Sequence, residues 1–109
     1  MSKIINGKYY ALYDKYHRIF IGKKTAPFNE DYLYRAFHIT LNGNDVYCVF
    51  DDLKKKAKTE FFNIPMRYAE HLNITEGDIL ELIHEEGTNT MLIKKSDLTK
   101  EMYYAKPEE

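Results

Sequence analysis

Tryptophan is absent from this 109-residue chain, and cysteine, proline and glycine are scarce: one Cys, three Pro and five Gly. The lone Cys48 cannot form an internal disulfide, and Val46, Tyr47, Val49 and Phe50 around it give it the setting of a small core hydrophobe. That usage predicts a reducing, cytoplasmic compartment rather than a disulfide-stapled secreted scaffold. No apolar run approaches 18 residues and residues 1–8 hold no signal-peptide core, so neither a membrane span nor export is expected. No repeat of fixed period and no low-complexity tract interrupts the sequence. It also lacks a G-x-S-x-G elbow, a phosphate-binding glycine loop and a paired-carboxylate motif. His17, His38, His71 and His84 fall in separate elements without metal-ligand spacing, and Cys48 has no base beside it in sequence. An enzyme is therefore not expected, and no cofactor or metal is implied.

A strong charge of one sign is missing too. Sixteen Lys and Arg meet 17 Asp and Glu, a formal net charge of −1, so the molecule as a whole does not advertise nucleic-acid binding. The charge is unevenly placed: residues 1–50 carry +3, residues 51–75 carry +1 and residues 76–109 carry −5. What is abundant is aromatic surface, with ten Tyr and six Phe. Tyrosine packs like an apolar residue but keeps a hydroxyl to satisfy, which suits a half-exposed sheet or an interface. At this length about 65% of the unfolded chain's surface can be hidden, enough for one core.

The pattern along the chain is mostly strand and turn. Residues 8–21 read as a Tyr-rich hairpin turning at Asp14-Lys15-Tyr16. Asn29 offers an N-cap with acidic residues behind it, predicting a short helix from Glu30 to Ala36. Phe37 to Leu41 and Val46 to Phe50 flank Asn42-Gly43-Asn44-Asp45, where Asn-Gly supplies the positive φ a tight turn needs. Residues 51–58 fit either a capped short helix or a basic connector. Thr59 to Ile64 then reads as a strand, Pro65 to Leu72 as two helical turns, and Asn73 as a residue that tolerates the left-handed conformation ending them. Ile79 to Ile83 and Thr90 to Lys94 form a second hairpin, and Ser96 to Thr99 cap a final short helix through Tyr104 before the polar tail 106–109.

The stretch from Phe62 to Leu82 carries Ile64-Pro65 at a strand-to-helix step, the apolar pair Leu72 and Ile74, the turn Gly77-Asp78 and the outgoing Ile79, Leu80 and Leu82. It resembles the swapped-hairpin module of AbrB-like, SpoVT-like and MazE-like transcription regulators over residues 59–95. The chemistry of the motif is transparent: proline opens the helix, the apolar pair fastens it to the sheet, and Gly-Asp turns the chain into a hairpin too small to bury its own apolar face. The resemblance implies that two chains exchange hairpins and form one barrel, making a homodimer. The chain departs from the family at Ala69, where a basic residue is common, and at Asn73, where glycine is frequent. The expected fold is thus α+β and β-rich: a swapped-hairpin, AbrB-like barrel in the C-terminal half (53–95), preceded by an N-terminal extension (1–52) containing a β-hairpin and followed by a tail (96–109).

By that resemblance the protein is expected to be a homodimeric transcription regulator binding double-stranded DNA. Lys54, Lys55, Lys56, Lys58 and Arg67 are the candidate DNA contacts, the lysines meeting phosphates and Arg67 approaching bases. A solvated, Lys-rich connector accounts for the same run, and Lys23 and Lys24 either extend the patch or sit in an ordinary loop. Tyr9, Tyr10, Tyr13, Tyr16 and Phe20, interleaved with Lys8, Lys15 and Arg18, suit a packed sheet face better than a platform for unpaired bases. The competing expectation is an interaction protein, antitoxin-like or an inhibitor. It would hold a protein partner through its acidic last third, with Leu98, Met102, Tyr103 and Tyr104 as apolar anchors unless they dock on their own sheet.

Overall fold

A computed structural model describes residues 2–106; Met1 and residues 107–109, most of the expected polar tail, lie outside the described residues. The chain is a small β-rich α+β fold. Its strands are β1 (Ser2–Ile5), β2 (Lys8–Leu12), β3 (Arg18–Phe20), β4 (Arg35–Asn42), β5 (Asp45–Lys54), β6 (Phe61–Asn63), β7 (Ile79–His84) and β8 (Thr90–Lys95), with helices α1 (Met66–Leu72) and α2 (Lys100–Ala105). Six strands form an open antiparallel sheet in the order β1-β2-β7-β8-β5-β4, while β3 and β6 pair as a separate ribbon.

Several expected elements appear as read. β4 and β5 meet across a two-residue turn with Asn42 opposite Asp45, and Gly43 alone takes the positive φ, at 64°. α1 starts behind Pro65 and ends at Asn73 in the left-handed region (φ 56°, ψ 46°). The backbone N–H of Asn73 donates to the Glu70 carbonyl at 3.0 Å and that of Ile74 to the Ala69 carbonyl at 3.0 Å, satisfying helix-end acceptors. α2 is capped by Thr99, whose hydroxyl oxygen accepts from the Met102 N–H at 3.1 Å.

Others differ for identifiable reasons. The Tyr-rich hairpin at 8–21 does not form: only Tyr13 and Ile19 bridge across the turn. β2 is taken up between β1 and β7 instead, and β3 by β6. β1 itself was not anticipated, although Asn6-Gly7 behind it carries φ of 52° and 76°, the pair a type I′ hairpin turn requires. The helix expected at 30–36 is a 3-10 turn, Glu30–Tyr34, because Arg35 already begins β4. Residues 51–54 are neither helix nor connector but the end of β5, which runs ten residues to Lys54.

The sheet draws β1, β2, β4 and β5 from before residue 55 and β7 and β8 from beyond it, so the two halves interleave. The β7–β8 hairpin has β2 on one edge and β5 on the other. One face of the sheet presents Ala11, Leu80, Leu82, Met91, Ile93, Val46, Cys48 and Phe50 to a core closed by Ile19, Phe28, Leu33, Phe62, Ile64 and Ala69. On the other face α2 covers the β1-β2-β7 end, burying Tyr103 against Ile5, Tyr10 and Ile79. The radius of gyration, 13.1 Å, is close to the ~13 Å expected of one compact chain this long.

Candidate nucleic-acid interface

The basic run begins where β5 outlasts its neighbours. Beyond Phe50 the strand carries Asp51, Asp52, exposed Leu53 and Lys54 out of the core, and a bend returns the chain to β6. This turn is tied to the end of the 3-10 segment: the Lys55 N–H donates to the Tyr34 carbonyl at 2.6 Å and the Thr59 N–H to the Leu33 carbonyl at 2.7 Å. The lysines therefore project beside Glu30 and Asp31, which that segment presents.

Two of the five expected DNA contacts are engaged by those acids. The Lys54 ammonium lies 2.6 Å from Asp31, which also takes Arg35 at 3.1 Å, and Arg35 reaches Asp52 at 3.4 Å. Hydrogen bonds from Lys54 and then Arg35 hold the Asp31 carboxyl below the usual carboxylate range, against the smaller opposing effect of desolvation. Lys58 sits 3.4 Å from Glu60 and 3.8 Å from Glu30, and Glu30 also pairs Lys23 at 3.2 Å. Lys54, Lys58 and Lys23 thus belong to a surface network of alternating sign.

The other three form no ion pair within 4.0 Å among the described residues. Lys55 donates to the Thr59 hydroxyl at 2.6 Å and stands 5.6 Å from the Phe37 ring centroid. Lys56 is exposed at the bend. Arg67, exposed on the first turn of α1, lies 4.8 Å from the Tyr68 ring and donates to its hydroxyl at 3.1 Å. α1 ends beside the β4–β5 turn, where His71 Nε2 is 2.9 Å from the Asn44 carbonyl oxygen. Lys55, just past the end of β5 and beside Phe37, marks the opposite end of the same hairpin.

A second cationic feature joins Arg18, Tyr16 and Phe20 of the Tyr-rich segment to Phe61, which the sequence alone does not connect to them. Arg18 in β3 lies between two exposed rings, 4.0 Å from Phe61 and 4.9 Å from Tyr16, with its Nε held by Asp14 at 2.8 Å. Phe20 packs on Phe61 at 5.1 Å. The signal was strand alternation: Ile19 and Phe62 point into the core, so Arg18, Phe20 and Phe61 must point out. Of the Tyr-rich segment, Tyr10 and Tyr13 are buried and only Tyr16 is strongly exposed. The Tyr13 hydroxyl donates to the Ile64 carbonyl at 3.3 Å and lies 3.2 Å from His17 Nδ1.

The four anchors expected at the C-terminus divide. Tyr103 is fully buried in the sheet's second layer, and Lys3 reaches over it to donate to the Tyr103 and Lys106 carbonyls at 2.7 and 3.1 Å. Tyr103 as packed is therefore occupied by its own chain, and Leu98 packs half-buried against the same cluster. Met102 and Tyr104 remain exposed. Cys48 is fully buried and burial pushes its thiol pKa up, away from the reactive thiolate. No group of three or more His, Cys, Asp or Glu positioned to hold a metal ion is present among the described residues. No helix among them is long and apolar enough to cross a membrane. No protein-family model matches this chain, and no curated protein or solved structure shows significant similarity to it.

Proposed function

We propose that this chain is a double-stranded-DNA-binding regulator of the AbrB-like type, working as a cytoplasmic homodimer, with Lys55, Lys56 and Arg67 as the groups that meet phosphate. The observation that carries the reading is that those three exposed cations form no ion pair among the described residues. Lys54 and Lys58 take a lesser part, since each would have to leave Asp31, Glu30 or Glu60 to reach a phosphate. Exchange of the 79–95 hairpin between two copies is compatible with this sheet. A swapped element makes the same contacts with the partner that it otherwise makes at home, so β2–β7 and β5–β8 pairing would recur across the dimer. The test is fluorescence anisotropy on a random duplex at low salt. Replacing Lys55, Lys56 and Arg67 together by Ala should abolish binding, whereas replacing Lys23 and Lys54 should weaken it little. A folded wild-type protein that binds no duplex would sink the proposal.

One observation favours the second reading, a protein-binding module: Met102 and Tyr104 are large apolar side chains left exposed on a docked helix, next to the acidic final third. Under that reading Met102→Ala with Tyr104→Ala should release a stoichiometric partner protein without unfolding the chain. Retention of the partner by that double variant would remove it.

A further inference from the structure

The two outer edges of the six-stranded sheet are unlike each other. β1 spans four residues, and α2 is tied across it through Lys3. β4 spans eight residues and, among the described residues, has no strand on its outer side. The hydrogen-bond phase of β5 fixes which groups that side exposes. The Phe50 N–H and carbonyl both face Asn89, away from β4. By antiparallel alternation His38, Thr40 and Asn42 therefore bond inward to β5, opposite Val49, Tyr47 and Asp45. Phe37, Ile39 and Leu41 face outward, and among the described residues no hydrogen bond reaches their backbone N–H or carbonyl groups.

Edges of this length are normally blunted by a charge, a proline or a covering element, because unpaired backbone recruits another strand. In a chain of which 30% is charged, residues 36–43 contain no Asp, Glu, Lys, Arg or Pro. The one irregularity, a register shift between Arg35 and Phe37, lies at the strand's start and leaves Phe37 to Asn42 regular. The side chains alternate cleanly. Phe37 and Ile39 are half-buried and Leu41 is 46% exposed on the core face, while His38, Thr40 and Asn42 lie on the other face.

We infer that the β4 edge is a self-association surface, pairing antiparallel with β4 of a second copy to join two six-stranded sheets into one. The occupant follows from self-complementarity. A two-fold axis perpendicular to the sheet at Ile39 sets Ile39 against its own copy and Phe37 against Leu41. It keeps the apolar residues of both copies on one face and completes about six hydrogen bonds. Because the segment is uncharged, identical strands meet without like-charge repulsion. A single strand edge buries less than the roughly 1,200–2,000 Å² of standard stable interfaces, which places this association in the weak, concentration-dependent class.

Hairpin exchange leaves β4 where it is, so this inference stands apart from the proposed function. Sedimentation velocity from about 1 to 200 µM covers the range over which a weak association changes its population. Leu41→Pro removes an outward N–H and no inward one, which an edge strand tolerates. Ile39→Lys places two like charges directly opposite. The wild-type assembly should reach twice 13.0 kDa, or four times if exchange also occurs, and each variant should halve it. Hydrogen exchange supplies the variant-free reading: the Phe37, Ile39 and Leu41 amides should become protected with rising concentration. A wild-type mass of 13.0 kDa throughout, an assembly unchanged in both folded variants, or outward amides insensitive to concentration would each overturn the inference.

Discussion

Replacing Tyr103 by Ala tests whether the C-terminal helix is part of the fold or a tail held out to a partner. The ring is fully buried against Ile5, Tyr10 and Ile79. A buried tyrosine hides about 150–200 Å² of mostly apolar surface, which at about 25 cal/mol/Å² is roughly 4–5 kcal/mol. A denatured ensemble that is already partly collapsed reduces this to about 3–4 kcal/mol, within the range measured for large-to-small aromatic substitutions. With a urea slope of about 1–1.5 kcal/mol/M, the unfolding midpoint should fall by about 2–4 M, a large part of a small domain's stability. Equilibrium urea unfolding followed by tyrosine fluorescence or far-UV circular dichroism measures it. Met102→Ala and Tyr104→Ala, on exposed neighbours in the same helix, should stay within about 0.5 kcal/mol of wild type. A Tyr103→Ala midpoint equally close to wild type would show that α2 is not docked and refute the reasoning.

Asn73→Ala should cost about 1 kcal/mol in the same assay and Asn73→Gly should not, because only Ala is penalised in the left-handed conformation that ends α1. Partial burial raises the Asp14 pKa, but hydrogen bonds from the Arg18 side chain and the Tyr16 and Arg18 N–H groups outweigh it and leave the folded pKa lowered. Its contribution is therefore present above the unfolded carboxylate pKa and lost as pH falls through the folded value. The stability gap between wild type and Asp14→Asn, about 1 kcal/mol at most for a half-buried surface pair, should be open at pH 6 and shrink as pH falls below the ordinary carboxylate range. Cys48 should resist iodoacetamide in native protein and react at once in denaturing urea; rapid native labelling would contradict its burial.

Local signals in the sequence carried over where the chemistry is local. Pro65 and Asn73 bracket α1, Gly43 at positive φ in the Gly43-Asn44 turn leads β4 into β5, and Thr99 caps α2, each acting through its own backbone. Non-local pairing did not carry over, since nothing near Asp14-Lys15-Tyr16 states that β2 will be claimed by β7 and β3 by β6. The same limit applies to the basic run. Its lysines are consecutive in sequence, but which are neutralised depends on Glu30 and Asp31 more than 20 positions away. The Arg18 stack was hidden likewise, because Phe61 joins Arg18 only through the β3–β6 ribbon. Position 39 could be read as apolar from sequence, yet its outward backbone follows only from the β5–β8 hydrogen bonds.

The salt dependence of duplex binding tests the central claim most directly. Three cations per chain that form no ion pair among the described residues, presented twice in a homodimer, give log Kobs against log salt a slope of about −3 to −5, since each phosphate neutralised contributes about −0.9. Binding that tightens steeply as salt falls, with the slope collapsing in the Lys55, Lys56 and Arg67 triple variant, is the predicted result. A slope near zero, or no binding at about 50 mM salt by protein shown to be folded, would contradict it.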